Sequence, residues 1–121
     1  MSKSVLITGG LGYVGGRIAR RLAQTDDINL RLSTRSTVAQ CPEWLIDGSI
    51  VTLDMSDDDS ISVACAGVDY VVHLAGMNEI DSAADPKEAL IVNGLGTLKL
   101  LEAAQSAGVK RFIYFSTAHV Y

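Results

Sequence analysis

Val5-Leu6-Ile7-Thr8-Gly9-Gly10-Leu11-Gly12-Tyr13-Val14-Gly15-Gly16 decides the fold. Its first three residues form a short, continuous apolar run, as expected of a strand covered on both faces. Five glycines follow within the eight residues from Gly9 to Gly16. Between Arg17 and Gln24, apolar residues then recur at Ile18, Ala19, Leu22 and Ala23 with helical spacing. The stretch therefore reads strand, glycine turn, helix. Two glycine patterns overlap in it. Gly10, Gly12 and Gly15 match G-x-G-x-x-G, and Gly9, Gly12 and Gly15 match G-x-x-G-x-x-G. In either, one glycine turns the chain out of the strand, another lets backbone approach a pyrophosphate, and the last brings helix and strand close together. Free N–H groups at the helix start, with the positive end of its dipole, would receive the phosphates. Gly9, Gly12, Tyr13, Val14 and Gly15 are thus the first cofactor-binding candidates.

Outward from this turn the chain alternates. Leu30 to Thr34 reads as a second strand and Ile50 to Leu53 as a third, with a polar, irregular stretch from Arg35 to Asp47 between them. Ser56 followed by Asp57-Asp58-Asp59 predicts a capped helix over about Asp57 to Ala66, stopped by Gly67. Tyr70 to Leu74 is a fourth strand, and Gly76 to Asp85 is expected to be a loop. Pro86 suits a first helical position, and helical periodicity then runs to Ala107 before Gly108. Phe112 to Phe115 is a fifth strand. The order β-α-β-β-α-β-α-β implies an α/β fold of three layers, a Rossmann-type α/β/α sandwich with a parallel sheet in the order 3-2-1-4-5. Residues 1–121 are expected to be one dinucleotide-binding domain.

Composition narrows the class. The 121 residues are 48% hydrophobic and 20% charged, with a net charge of −4, which suits a single soluble domain. An acidic chain without a basic run argues against nucleic acid as a partner. No apolar stretch reaches the roughly 20 residues needed to cross a bilayer, and the N-terminus lacks a signal-peptide layout. No membrane association and a cytoplasmic location are the expectations. Cys41 and Cys65 form neither a CxxC pair nor a metal-ligand set. Both are expected to be reduced, Cys65 as a small apolar residue on a helix, and no metal site is expected.

The end of the second strand selects between dinucleotides. A carboxylate there would bind the ribose 2′-hydroxyl of NAD, and an arginine would suit the 2′-phosphate of NADP. Leu32-Ser33-Thr34-Arg35 carries no acid. Arg35 can grip a phosphate with paired hydrogen bonds, which favours NADP over NAD. Read without that ligand, Arg35 is a solvated loop charge.

With these elements in place, the chain resembles the extended short-chain dehydrogenase/reductase family, the nucleotide-sugar epimerases and dehydratases and their relatives. Thr8 to Gly15 is similar to the family's cofactor turn. Leu53-Asp54-Met55 resembles the element whose aspartate contacts the adenine amine, and Gly67 to Gly76 resembles the strand whose end, here Leu74-Ala75-Gly76, passes the cofactor. Val92-Asn93-Gly94-Leu95-Gly96-Thr97 is similar to V-N-x-x-G-T, and Ser116-Thr117-Ala118-His119-Val120-Tyr121 to S-[ST]-x-x-V-Y. The resemblance implies catalytic roles for Thr117, which would hydrogen-bond the reacting oxygen of the substrate, and for Asn93, which would order the site. On the residues alone, Asp54 fits a turn before Ser56 and His73 an ordinary strand end. Asn93, Gly94 and Gly96 are unfavourable inside a helix, which points to hydrogen bonding by the first and close packing at the glycines. Ala118 and His119 stand where sugar 4,6-dehydratases carry an acid pair, which argues against that reaction. His119 is left open as an acid or base.

The family's acid/base tyrosine lies in Tyr-x-x-x-Lys, and none of Tyr13, Tyr70, Tyr114 or Tyr121 is followed by lysine four residues on. The resemblance therefore implies an N-terminal fragment of a longer enzyme, with the substrate-binding portion elsewhere. Alone it would turn over little or no substrate. The implied activity is hydride transfer at a carbinol or ketone carbon of a nucleotide-sugar, as an epimerase or reductase. The alternatives are an NADP-dependent reductase of a non-sugar alcohol or ketone and a non-catalytic NADP sensor. A homodimer is expected through the helix from Pro86 to Ala107, and the fifth strand is expected to present an apolar sheet edge.

Overall fold

Alternation of side chains along the strands sorts the molecule into layers. The computed structural model describes residues 2–36, 40–46, 48–76 and 79–116. In β1 (Lys3–Thr8), Val5 and Ile7 join one apolar cluster while Leu6 joins another on the opposite face. In β4 (Tyr70–His73), Val71 and Val72 divide in the same way. Both faces of the central strands are therefore covered, which is why their sequence is continuously apolar. One cluster lies under α1 (Tyr13–Leu22), which contributes Ala19. The other lies under α2 (Asp58–Cys65) and α5 (Gly96–Ser106), which contribute Ile61, Ala64, Leu100 and Ala104.

β2 (Ile28–Thr34), β3 (Ser49–Thr52) and β5 (Arg111–Tyr114) complete one sheet in the order β3-β2-β1-β4-β5, and all neighbours run parallel. This is the expected α/β topology. Parallel pairing brings Thr8 level with His73 and Thr34 level with Thr52, so the carboxyl ends of the strands share one rim. The order reverses between β1 and β4, and a crevice opens there.

Local chemistry moves several expected boundaries. The cap of α2 is Asp57, not Ser56: its carboxylate accepts from the N–H groups of Asp59 and Ser60. Ser56 instead donates its N–H and hydroxyl to Asp54 Oδ1. Arg31, on the face of β2 opposite Leu30 and Leu32, donates to the carbonyls of Ala64 and Ala66 at the other end of α2. The expected loop from Gly76 to Asp85 contains a short helix, α3 (Glu79–Ala84). The expected single helix after Pro86 is three segments: α4 (Pro86–Ala89), capped by Asp85, a π-helical turn at Leu90–Leu95, and α5. Gly96 packs against Met55, with an added Cβ only 2.9 Å from Met55 Cβ, whereas Gly94 has ordinary clearance. Close packing thus explains Gly96 and not Gly94. In the β5 segment Phe112 packs on the core, and Ile113, Tyr114 and Phe115 are exposed, giving the expected apolar edge.

Candidate functional site

A groove of about 890 Å³ runs across the carboxyl ends of the strands. It is bounded by the glycine turn, by Ser33-Thr34-Arg35, by Leu53 and Met55, and by Leu74-Ala75-Gly76. At its far end lie Asn93 and Thr97, with Tyr114 at the end of β5 and Phe115 and Ser116 after it. Among the sequence candidates, Gly9, Gly12, Tyr13, Val14, Gly15, Arg35, Met55, Leu74, Ala75, Gly76 and Asn93 all line it. Asp54 does not, although its neighbours do. Thr117 and His119 lie outside the described residues.

The glycines of the turn differ in what their backbone geometry requires. Gly9 leaves β1 at φ +68°, a left-handed conformation that glycine adopts freely. A Cβ on Gly15 would sit 2.2 Å from the Gly9 carbonyl oxygen, so helix and turn touch backbone to backbone there. Gly12 is the residue before α1, and no side chain caps it. The first intrahelical bond runs from Gly16 N–H to the Gly12 carbonyl. The N–H groups of Tyr13, Val14 and Gly15 precede that bond and face the groove end of the helix, as an anion requires. Gly9, Gly12 and Gly15 thus carry the tight backbone geometry of the turn, and Gly10 packs on Leu32. Open amides, a cradle that a Cβ would fill and a long crevice fit a dinucleotide. Among the described residues no group of three His, Cys, Asp or Glu could hold a metal.

Beside the turn lies a fully bonded polar junction that sequence reasoning passed over. Thr8 and His73 are both completely buried. Thr8 Oγ1 accepts from the N–H groups of Leu74 (2.9 Å) and Ala75 (3.0 Å) and lies 2.6 Å from His73 Nδ1. A hydroxyl has two lone pairs and one hydrogen. With both lone pairs used, the Thr8 hydrogen is donated to Nδ1. His73 is therefore the neutral tautomer protonated at Nε2, which donates to Thr97 Oγ1 at 3.0 Å. Burial pushes the His73 pKa down to about 4. A second ring proton would also face an oxygen with no lone pair left. His73 is thus no acid or base at neutral pH, in line with the plain reading of it as a strand-end residue.

The β2 end contrasts with this. Arg35 is exposed, and Thr34 Oγ1 accepts from the Ser36 N–H, closing a small turn. Among the described residues no carboxylate lines this part of the groove. Asp54 holds Ser56 through Oδ1, and the Ser56 hydroxyl, then its N–H, lowers the Asp54 pKa. Asn93, on the π-helical turn, lies against the end of β4, with Oδ1 2.8 Å from where a Gly76 Cβ would be. Cys65 is buried and its pKa raised by that burial, which Arg31 partly offsets, so it is an inert core thiol.

A sequence model of the NAD dependent epimerase/dehydratase family matches residues 5–121. The chain belongs to this family. UDP-glucose 4-epimerase of Erwinia amylovora is 36% identical, in a match covering 98% of this chain and 38% of that protein. A UDP-glucose 4-epimerase of Klebsiella pneumoniae is 30% identical, covering 97% of this chain and 91% of that sequence. Among solved structures, a mutant uronate dehydrogenase of Agrobacterium tumefaciens complexed with NAD superposes with a TM-score of 0.79 at 31% identity. That match covers 98% of this chain and 42% of the other. The chain thus spans about 38% of the length of the first of these relatives. No helix among the described residues is long and apolar enough to cross a membrane.

Proposed function

We propose that this chain is the cofactor-holding part of an NAD(P)-dependent enzyme that moves a hydride at a carbinol or ketone carbon of a nucleotide-linked sugar, as an epimerase or reductase. The observation that carries the reading is the groove itself, continuous from the uncapped start of α1 to Asn93 and Thr97. The amides of Tyr13, Val14 and Gly15 hold the pyrophosphate. Leu53 and Met55 support the adenine, and Asp54 retains Oδ2 for its amine. Leu74, Ala75 and Gly76 pass the ribose and nicotinamide. The nicotinamide supplies hydride acceptance and return. Thr117 hydrogen-bonds the reacting oxygen of the substrate, and Asn93 orders that end of the site.

Arg35, with no acid beside it, favours NADP over NAD and keeps an NADP-dependent reductase of a non-sugar alcohol or ketone as the second reading. The enzyme acts as a cytoplasmic homodimer, supported by Leu90, Leu95, Leu98 and Leu101, which are exposed on the π-turn and α5. Sedimentation of the intact protein tests the dimer.

Calorimetric titration of the intact protein with NAD and with NADP, beside Arg35→Ala, tests the cofactor. NADP is expected to bind more tightly, and the variant to lose about tenfold in NADP affinity, the size of a charge-assisted hydrogen bond to phosphate. Equal or tighter binding of NAD, unchanged in the variant, overturns the role of Arg35. Failure to bind either dinucleotide overturns the groove reading.

A further inference from the structure

We infer that Thr97 is a direct hydrogen-bond donor to the bound dinucleotide, and that buried His73 is the positioning residue that aims it. The inference rests on the reading of the groove as a dinucleotide site. It comes from following hydrogen atoms through the junction. Leu74 and Ala75 donate to Thr8, Thr8 donates to His73 Nδ1, and His73 Nε2–H donates to Thr97 Oγ1. Each donor and acceptor in that sequence is committed in one direction. Thr97 receives a hydrogen bond, so its own hydrogen remains to be given.

A threonine inside an α-helix ordinarily gives that hydrogen to the carbonyl one turn back. Among the described residues Thr97 makes no such bond. It stands at the junction where the π-helical turn passes into α5, and it lines the groove beside Asn93 and Tyr114. An unspent hydroxyl hydrogen on a half-buried residue that lines the groove calls for an acceptor there. The oxygens of a ribose or of a carboxamide supply it. His73 touches no ligand in this scheme. It takes one of the three tetrahedral positions on Thr97 Oγ1, so the hydrogen is turned away from His73 and left for another acceptor, and through Thr8 it ties that constraint to Leu74 and Ala75 on the groove wall.

The test uses the intact protein titrated calorimetrically with NAD and NADP. Thr97→Val keeps the shape and removes the hydroxyl, whereas Thr97→Ser keeps the hydroxyl. We expect the valine variant to bind its preferred dinucleotide about tenfold more weakly and the serine variant to stay within about threefold of wild type. In the wild type, nitrogen-15 NMR of the imidazole is expected to show a neutral, Nε2-protonated His73 with and without dinucleotide. Wild-type affinity in Thr97→Val overturns the donor role while leaving the dinucleotide reading intact. An Nδ1-protonated or charged His73 at neutral pH overturns the aiming role. If the wild type binds neither dinucleotide, the groove reading fails and the donor role falls with it.

Discussion

The groove has two unlike ends. Around Thr8 and His73 every buried polar atom is bonded, and backbone meets backbone at Gly9 and Gly15. At Thr34 and Arg35 the side chains are half-buried or exposed, and Thr34 Oγ1 closes a short turn by accepting from the Ser36 N–H. On the proposed reading, the first end defines where the dinucleotide lies, and the second distinguishes one dinucleotide from another without disturbing that placement. A buried, saturated network resists change because removing one member leaves the next unsatisfied, whereas an exposed arginine can be replaced at little cost to the fold.

The largest effect is expected from Gly15→Ala. The added Cβ meets a backbone oxygen at 2.2 Å, and no side chain can rotate away to relieve it. Overpacking of this kind costs about 2–3 kcal/mol, seen as a lower thermal midpoint, and the displaced turn loses dinucleotide affinity. A variant that melts and binds like the wild type breaks the contrast between the ends.

His73 gives the rigid end a pH signature. Its folded pKa of about 4 lies below the ordinary 6.5. As pH falls below about 6.5 the unfolded chain takes up a proton that the folded chain refuses, so unfolding is favoured. Stability is full above pH 6.5, declines between there and about 4, and then levels off. The loss over that window is about 3 kcal/mol. Denaturant unfolding from pH 7 to pH 4 should show it, with a flatter dependence in His73→Phe, which is destabilised throughout. Parallel curves for the two proteins would remove His73 from the account.

Thr34→Asp probes the adaptable end. A carboxylate placed there repels a 2′-phosphate and accepts from a 2′-hydroxyl, so NADP affinity is expected to fall about tenfold while NAD gains a few-fold. The thermal midpoint should move little. A large loss of stability would mean that this end is as constrained as the other.

The sequence shows local features better than those assembled across the fold. Five apolar runs and a glycine cluster between the first run and a helical period are local signals, and they specify the layers and the strand order. The Thr8–His73–Thr97 junction is not local: its bonds join residues 65 and 24 positions apart, and its meaning depends on counting lone pairs in space. The six residues of α3 are too few to show a period. At the start of α2, Ser56, Asp57 and Asp58 could each serve as a cap, and the choice is made by Asp54, which engages Ser56 first. Asn93 and Gly94, poor helix formers, were the one hint of the π-helical turn.

The smallest effect is expected at Asp54, where two roles compete on one carboxylate. Oδ1 accepts from Ser56, and Oδ2 makes no hydrogen bond among the described residues. Asp54→Asn preserves the acceptor for Ser56 and with it the turn. It puts an N–H₂ group where Oδ2 was, so an adenine amine would meet a donor instead of an acceptor. Because the group is exposed, the loss should be about threefold in dinucleotide affinity with no change in thermal midpoint. Asp54→Ala removes both roles and should cost a further few tenths of a kcal/mol in stability, as expected for an exposed turn. If the asparagine variant binds as tightly as wild type while the alanine variant melts lower, Asp54 serves the turn alone, and adenine is held by Leu53 and Met55.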